Sequence, residues 1–470
     1  MSTQRTTTIA TTVTRSVPSQ NLPEQENNGI VPRRSAAGGY TLSREALSRD
    51  LYKAYLDARK GKRGKPYQMA FEMHLEDNLS ELCDELRSRT YKPRPSKCFI
   101  IEDPTLREVF AADFRDRVVH HLYYNYTYVL FDRTFIDDSY SCRKGRGTLY
   151  GVERLEHHIK AESRNYTREC YVLKMDISGY FMHIDRRRLL ELSLRTLRRE
   201  AHKPSRIPGR RWMDVIDMDF VEYLTREIVL LNPVENCRVF GRRSDWKRLP
   251  RSKSLYYSPD GCGLPIGNLT SQVFSNVYMN SFDQWMKRCI GCRHYGRYVD
   301  DFYVVSCDKR FLLSVAESAA GFLWSELGLR VNPCKTILYD VRHGVPFLGC
   351  HLLPWRKYIG RATFERMKRH LEAELVSAGP LRLRSVVNSY LGLLRHVNSY
   401  RFSQRYFRTL PRLAALGNIT PFKRKLVLSP RVLDTMRINS YLRMIDDPDC
   451  LLDYSDVELL CHEYVDMYFC

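Results

Sequence analysis

Two adjacent carboxylates, Asp300 and Asp301, stand between runs of aromatic and β-branched residues in the stretch RYVDDFYVV. The flanking runs have the composition of β-strands, and two residues between strands is the length of a tight hairpin turn. Asp tolerates turn geometry, but two ionised carboxylates side by side repel each other, and Asn-Gly or Asp-Gly would form the same turn without that repulsion. The pair therefore indicates either a turn or a site for a divalent cation.

A third carboxylate, Asp176, ends the apolar run CYVLKMD, which has the composition of a short strand. Asp is common at a helix N-cap or a strand-end turn, but together with the hairpin pair it completes a set that can converge at a sheet edge. Mg²⁺ prefers such hard oxygen ligands, and two divalent cations about 4 Å apart stabilise the attacking and leaving oxygens in phosphoryl transfer. The three aspartates therefore predict a two-metal site.

The segments around these aspartates alternate between helical and strand patterns. Apolar residues at helical spacing predict helices in Thr41–Thr90, Arg115–Leu130, Ile184–Arg199, Ser271–Arg288 and Lys309–Leu327. CFIIEDP, CYVLKMD and the runs beside RYVDDF predict strands, residues 200–255 fit no element, and most of the remaining C-terminal part is predicted helical. Because the alternation lacks the regular period of βαβ units, it predicts an α+β fold with an antiparallel sheet.

The chain carries a large positive charge. Its 470 residues include 75 Lys and Arg against 54 Asp and Glu, a net charge of +21, which suits a polyanionic partner such as nucleic acid. Basic clusters lie at Arg59–Lys65, Arg186–Arg188, Arg195–Arg211 and Arg242–Lys253, whereas the chain from Met444 onward holds eight acidic residues and no Lys or Arg. That acidic tail is predicted to lie away from the nucleic acid or to dock on a basic surface.

Composition also bounds the compartment. The 14 cysteines are scattered, and neither a secretory signal nor an apolar stretch long enough to span a bilayer is present. These features predict a reducing, cytoplasmic location and no membrane partner. Residues 1–38 are rich in Ser, Thr, Gln and Asn, and they are predicted to form a disordered arm.

Five motifs give the chain a resemblance to a known family. KMDISGYFMHID, GLPIGNLTSQ, RYVDDF, NPCKT and PFLG, in this order and at these separations, resemble the successive palm motifs of reverse transcriptases. LREVFAADFRDRVVHH, FIDDSYSCRKGRGT and SYLGLLRHVNSY resemble the bacterial reverse transcriptases of diversity-generating retroelements and the related unclassified, phage-defence-associated enzymes. The resemblance runs from about residue 41 to residue 405.

The resemblance implies the right-hand polymerase fold, with fingers, a palm built on an antiparallel sheet, and a helical thumb. The expected divisions are 1–38 as the disordered arm, 39–165 as fingers with N-terminal helices, 166–350 as palm with part of the fingers and an insertion-like 200–255, 351–405 as thumb, and 406–470 as a helical, acidic C-terminal extension.

Carried over onto this chain, the family's catalytic triad falls on Asp176, Asp300 and Asp301. The resemblance implies two Mg²⁺ ions, for which Mn²⁺ can substitute, with the first two aspartates as the more direct ligands. It also places Ile177, directly after Asp176, in the metal and nucleotide site. Lys335 in NPCKT matches the position proposed to approach the pyrophosphate leaving group as a cation or proton donor.

The nucleotide pocket is implied in the same way. Phe181 stands where the family places an aromatic gate against a ribose 2′-hydroxyl, which implies dNTP use; ordinary core packing is the alternative for this ring. Ile266 stands where many reverse transcriptases have Gln, a change linked in diversity-generating enzymes to low fidelity opposite adenine. Gly267 follows it, and Gln272 stands where intron-type enzymes commonly have Pro.

Three arginines are candidates to hold the triphosphate or the template backbone, because guanidinium groups bind phosphate bidentately. They are Arg107, Arg115 and Arg117, in the fingers-like segment. On a helix Arg115 and Arg117 cannot share one face, so at most one of them is expected to bind phosphate.

The resulting prediction is an RNA-directed DNA polymerase that copies a dedicated structured non-coding RNA into cDNA from dNTPs, in a bacterial phage-defence system. The alternative is the error-prone enzyme of a diversity-generating retroelement. A catalytically inactive, maturase-like RNA-binding protein and an RNA-dependent RNA polymerase are rivals, against which the three aspartates and Phe181 respectively argue. An accessory protein or a second copy of the chain is a further partner to consider, and protein priming from a Tyr or Ser hydroxyl stays open.

Overall fold

The structure, a computed structural model, describes residues 40–102, 105–420 and 425–436. The predicted disordered arm, residues 1–38, and the acidic tail from Met444 onward lie outside the described residues.

The order of elements confirms the predicted interleaving of helices and strands. The helices are α1 (Arg44–Arg59), α2 (Pro66–Glu72), α3 (Leu75–Ser88), α4 (Phe114–Asp132), α5 (Thr148–Glu162), α6 (Tyr180–His183), α7 (Arg186–Ala201), α8 (Met218–Val229), α9 (Arg243–Lys247), α10 (Leu269–Arg288), α11 (Lys309–Leu327), α12 (Arg361–Ser377), α13 (Pro380–Leu394), α14 (Tyr400–Arg408) and α15 (Pro411–Leu416). The strands are β1 (Ser96–Ile101), β2 (Arg107–Ala111), β3 (Tyr171–Asp176), β4 (Cys237–Val239), β5 (Tyr295–Tyr298), β6 (Asp301–Ser306), β7 (Ile337–Asp340), β8 (Val345–Phe347), β9 (Cys350–Leu353), β10 (Arg356–Ile359), β11 (Gly417–Ile419) and β12 (Leu426–Leu428).

The central sheet has the strand order β5-β6-β3-β7, and every neighbouring pair is antiparallel, as predicted. Both faces are buried, since side chains on a strand alternate between two faces. Leu173, Met175 and Val304 belong to one apolar core, whereas Val172 and Val305 belong to a second core that includes thumb residues. The sheet therefore lies between two apolar cores. Polar groups are placed at the end of the sheet where β3 ends and β6 begins.

The segment 200–255, which fits no element in the sequence, is ordered by contacts with distant residues. Its helix α8 packs on α7, and β4 adds a parallel strand to β1 in the order β2-β1-β4. Glu108 on β2 is 1% exposed and accepts hydrogen bonds from Trp246 Nε1 at 2.7 Å, Ser254 Oγ at 3.1 Å and the Leu255 N–H at 2.7 Å. The buried carboxylate therefore fastens this segment to the fingers-like sheet.

The described part of 406–436 is only partly helical, in contrast to the prediction for 406–470. After α15, strands β11 and β12 form an antiparallel pair that packs on α13. Leu426 and Leu428 are buried while Val427 between them is 40% exposed, which is the two-residue period of a strand. Asn388 of α13 bonds to both the N–H and the carbonyl of Leu426, so the strand pair is fastened to α13. Among the residues described, no helix has the length and apolar character needed to cross a bilayer.

Candidate active site

The hairpin that carries the paired aspartates is formed by β5 and β6, with Tyr298 opposite Asp301. The turn therefore consists of Val299 and Asp300, and Asp301 begins β6, which corrects the expectation that both aspartates form the turn. Val299 has φ +59°. A β-branched residue in the left-handed region is strained, and such strain is found where surrounding contacts hold it in place.

Arg297 supplies those contacts from beneath the turn. It is 0% exposed and forms a two-pronged ion pair with the equally buried Asp283 of α10, with Nη2 to Oδ2 at 2.6 Å and Nε to Oδ1 at 2.8 Å. Its Nη1 donates to the Val299 carbonyl at 2.8 Å. The charge is thus paired internally, and the bond from Nη1 fixes the strained Val299 peptide group.

A strap formed by residues 138–141 holds the same turn from the side. The Arg297 N–H donates to the Asp138 carbonyl at 2.8 Å, and the Tyr140 N–H donates to the Arg297 carbonyl at 2.9 Å. The Val299 N–H donates to Ser141 Oγ at 3.2 Å. Both polar backbone groups of Val299 are therefore satisfied, which explains why the FIDDSYSCRKGRGT motif accompanies the hairpin.

Asp176, at the end of β3, lies directly opposite Asp301 across the antiparallel pair. Its carboxylate pairs with Lys335 Nζ at 3.0 Å and 2.9 Å from its two oxygens. The Asn332 N–H donates to the Asp176 carbonyl at 2.7 Å, and Ile177 bridges to Val331. The backbone therefore carries the NPCKT turn to the aspartates, although more than 150 residues separate Asp176 from Lys335.

The aspartates perturb one another. The pKa of Asp300 is raised to about 6, first by burial and next by the like charge of Asp176. The pKa of Asp301 is raised by burial, against the opposing effect of Lys174, whose Nζ lies 3.4 Å from an Asp301 oxygen. The nearby lysines therefore do not offset the effect of burial and of the neighbouring carboxylates on these pKa values.

This donor set fits divalent cations in chemistry. Hard carboxylate oxygens under mutual repulsion are what Mg²⁺ neutralises, and Mg²⁺ is usually held by one or two carboxylates together with substrate phosphates and water. Within the described ranges, no three His, Cys, Asp or Glu side chains converge closely enough to enclose a metal ion by themselves. The protein groups are therefore suited to a site that substrate phosphates complete. The Ile177 side chain is a buried hydrocarbon with no ligand atom, so only its backbone carbonyl is a metal-ligand candidate.

The structure brings Phe181 and Ile266 to one small apolar cluster. Both pack partly buried against Phe110, Met182 and Leu255. The Leu264 N–H donates to the Phe181 carbonyl at 2.8 Å, and the Phe110 N–H donates to the Ile266 carbonyl at 2.9 Å. The LPIG loop thus spans from α6 to β2.

Gly267 is required in that loop for two reasons. Its φ is +121°, and an added Cβ would lie 2.8 Å from Val109 Cγ1. A larger residue would therefore push the loop away from β2 and move Ile266 with it.

The arginine candidates separate by burial. Arg115 is 2% exposed and ion-paired with Glu85, so its predicted role as a phosphate ligand is wrong because the guanidinium is enclosed in the fingers core. Arg117 lies on a different face of α4 and is partly exposed. Its Nε donates to the Ala112 carbonyl at 2.9 Å, and its guanidinium lies over the Tyr67 ring. Arg107 on β2 is exposed. Arg107 and Arg117 therefore stay candidates.

Gln272 lies elsewhere than on the cluster shared by Phe181 and Ile266. It is exposed on α10 and lines a shallow cleft with Tyr124, Lys144 and Arg146. The cleft is basic and aromatic, and the structure does not bring Gln272 to the residues predicted to contact the nucleotide.

A comparison of the sequence with known families agrees with the function that these residues suggest. A family model described as "Reverse transcriptase (RNA-dependent DNA polymerase)" matches residues 102–352, more than half of the chain. The chain belongs to the reverse transcriptase family. This match contains the three aspartates, Lys335, Phe181, Ile266 and the strap 138–141.

Individual relatives are distant. Protein YkfC of Escherichia coli (strain K12) is 24% identical over 319 residues, which cover 60% of this reverse transcriptase and 73% of the relative. Apo telomerase from Candida tropicalis has a TM-score of 0.42 at 12% identity, with 79% of this chain and 69% of that chain covered. Telomerase from Candida albicans in complex with the TWJ fragment of telomeric RNA has a TM-score of 0.42 at 13% identity, with 82% of this chain and 69% of that chain covered.

Membership of the family sets the general activity and fold. The protein is an RNA-directed DNA polymerase with the right-hand fold, and it acts on a template RNA; reverse transcriptases generally use divalent metal ions. Arg297, Asp283 and Ser141 were missed from the sequence; a basic residue within an apolar strand of the hairpin, Arg297, is a signal that a buried counter-charge is needed.

The first testable consequence concerns Arg297. Arg297→Lys retains the charge but removes the two-pronged pair and the bond to the Val299 carbonyl, so Asp300 loses its fixed position. A hydrogen bond to a charged group contributes about 1.5–3 kcal/mol, and we expect kcat to fall about 10- to 100-fold with the KM for dNTP within about twofold. Steady-state primer extension below the unfolding temperature measures both constants.

The matched control is Ser139→Ala, because Ser139 Oγ accepts a bond from Arg297 Nη2 at 3.2 Å but does not touch the turn. This variant is expected to retain most of the kcat. Full kcat in Arg297→Lys would contradict the assigned role.

Proposed function

We propose that this reverse transcriptase makes cDNA from a dedicated structured non-coding RNA in a bacterial phage-defence system. Synthesis occurs by two-metal nucleotidyl transfer at Asp176, Asp300 and Asp301. The observation that carries the catalytic part is the position of Asp176 opposite Asp301 and beside Asp300, with Lys335 paired to Asp176.

Each residue has a role in this proposal. Asp176, Asp300 and the Ile177 carbonyl hold the cations, with Asp301 as a weaker ligand because it faces Lys174. Bound Mg²⁺ would neutralise charge on the attacking and leaving oxygens. The Lys335 side chain is 61% exposed, so it can turn from Asp176 toward the pyrophosphate and donate a proton to the leaving oxygen.

The binding residues complete the pocket. Phe181 excludes a ribose 2′-hydroxyl, Ile266 and Gly267 form the apolar wall beside the base, and Arg107 or Arg117 holds phosphate. In this assignment the fingers comprise residues 39–165, the palm 166–350 and the thumb 351–405.

The defence role is supported by what the chain carries beyond the polymerase parts. The β11–β12 pair packs on α13 and adds an ordered element after the expected end of the thumb. Such an addition favours a specialised partner RNA over a compact general polymerase.

The second candidate, an error-prone diversity-generating enzyme, is favoured by Ile266. A branched hydrocarbon can pack against a nucleotide but cannot donate or accept a hydrogen bond. The two roles share the same polymerase chemistry, so only the nucleic acids bound in the cell separate them.

Sequencing the RNA and cDNA that co-purify with the full-length protein tests the cellular role. The defence role predicts a structured RNA with repetitive or phage-induced cDNA, and that cDNA should be missing from an Asp176→Asn preparation. A template repeat matching a variable protein gene would overturn defence in favour of diversification. RNA without any cDNA in either preparation would overturn the polymerase part.

The sugar specificity assigned to Phe181 is tested by Phe181→Ala. Removing the ring opens space for a 2′-hydroxyl, and we expect the preference for dNTP over NTP to fall by at least about 10-fold, equivalent to about 1.4 kcal/mol. Ratios of kcat/KM from primer extension with each nucleotide measure this preference. Phe181→Tyr keeps the ring and should keep the preference. If Phe181→Ala lowers the melting temperature but leaves the ratio unchanged, the ring is only a packing residue.

The fidelity assigned to Ile266 is tested by Ile266→Gln. One added hydrogen bond near the base contributes about 0.5–1.5 kcal/mol, so misincorporation opposite template A should fall about 2- to 10-fold. Sequencing of cDNA from a defined template measures the error rate, with Ile266→Leu as the apolar control. Equal error rates in all three proteins would refute the link between Ile266 and fidelity.

A further inference from the structure

An exposed tryptophan stands at a strained turn far from the aspartates. Leu353 pairs with Arg356 at the end of the β9–β10 hairpin, so Pro354 and Trp355 form the two-residue turn. Trp355 has φ +58° and is 65% exposed. A turn with Pro first and a positive φ second favours Gly at the second place. The turn therefore holds a large apolar ring in solvent where a smaller residue would be more stable.

A second strained segment supports this ring. Arg164, Asn165 and Tyr166, just after α5, have φ of +48°, +56° and +66°. The rings of Tyr166 and Trp355 have centroids 5.1 Å apart. Two unfavourable backbone segments thus meet to hold one aromatic surface, and strain retained in this way marks functional positions.

The surroundings of this surface are basic. Arg164, Arg168 and Arg356 are exposed, and in the described part of the chain none of their guanidinium groups has a hydrogen bond or ion pair. Nearby Lys160 and Lys357, by contrast, both pair with Glu156. Within residues 40–102, 105–420 and 425–436, these three arginines therefore have no protein counter-ion; Arg356 directly follows Trp355, and Arg164 and Arg168 lie within two residues of Tyr166 in the chain. We call Tyr166, Trp355 and these three arginines the aromatic–arginine surface.

The aromatic–arginine surface lies at the opposite end of the palm sheet from the active site. Strand β3 runs from Tyr171 to Asp176, about 17 Å at the usual rise per residue. At its starting end, Glu162 of α5 accepts the N–H of Cys307, which directly follows β6. Tyr166 follows Glu162 in the chain, so the surface is separated from the aspartates by the length of the sheet.

We propose that the aromatic–arginine surface binds an unpaired stretch of RNA outside the path of the template being copied. Every base has a face that can stack on Trp355, and arginines beside the ring supply phosphate contacts and cation–π contacts. Positive charge without a counter-ion favours a polyanion over an apolar protein segment. The inference rests on the RNA-directed activity for its partner class, and it gives the dedicated RNA of the proposed function a second point of attachment.

The test uses the full-length protein, with its active site occupied by a template–primer duplex at saturating concentration. The probe is a fluorescent, unstructured 12-nucleotide RNA, and its dissociation constant is measured by anisotropy. Trp355→Ala is expected to weaken binding about 5- to 100-fold, because stacking of one base on an aromatic ring contributes that much. Trp355→Phe keeps a ring and is expected to recover most of the affinity.

The matched control is Trp324→Ala. Trp324 on α11 is 55% exposed and lies under Arg330 at 4.6 Å, so it is also an exposed tryptophan beside an arginine. This variant should bind the probe as the unchanged protein does. Arg356→Ala should weaken binding and lower the slope of log K against log salt by about one.

Three results would overturn the proposal. The first is unchanged probe binding by Trp355→Ala. The second is an equal loss of probe affinity in Trp355→Ala and Trp324→Ala. The third is a change in the oligomeric mass of Trp355→Ala without a change in probe binding, which would assign the surface to contact with a second copy of the chain. Primer extension by the unchanged protein on the supplied duplex is measured in parallel. Its absence would refute the polymerase assignment without affecting the binding result.

Discussion

The buried ion pair between Arg297 and Asp283 is the interaction on which the active site depends. Two fully buried charges are stable only when their partners are satisfied, and losing one partner costs about 3–5 kcal/mol. Here the Arg297 donors not used by Asp283 reach the Val299 carbonyl, Asn276 and Ser139. The pair therefore ties helix α10, the strap 138–141 and the hairpin turn into one unit. A flexible turn could carry the same aspartates but could not hold a Val at φ +59°.

The position of this turn determines how close the charges of the three aspartates lie to one another. With Asp300 held beside Asp176 and Asp301 placed opposite it, the folded protein keeps like charges close together in a buried place, and the pKa of Asp300 is raised first by burial and then by the charge of Asp176. Lys335 and Lys174 relieve this only in part, since each faces one aspartate. Fold stability thus gains nothing from the set. The arrangement makes sense as a site that additional cations and phosphates stabilise.

Local patterns predicted much of this structure from the sequence. Helix α11 has the ends that its apolar spacing predicted; in the structure Asp308 caps its first turn and Gly328 ends it in the left-handed region, and both are short-range effects. The aspartates could be found because adjacent like charges between strands are unfavourable without a ligand. The burial of Arg115 could not be found, because Glu85 lies on another helix. The same holds for Glu108, whose three donors come from residues about 140 positions away. Strands as short as β11 and β12 are too short to show a period.

The residues that the proposed function assigns to the sugar and the base of the nucleotide are not mechanically independent. Phe181 and Ile266 pack on the same cluster, and the LPIG loop is hydrogen-bonded to Phe181 at one end and to Phe110 at the other. Leu255, which belongs to that cluster, is itself held by Glu108. Because protein interiors are close-packed, a change in volume at one position moves its neighbours. Residues that share packing partners couple energetically by about 0.5–3 kcal/mol. Selection of the sugar and tolerance of mispaired bases are therefore expected to change together in this reverse transcriptase, through the apolar cluster and not through the aspartates.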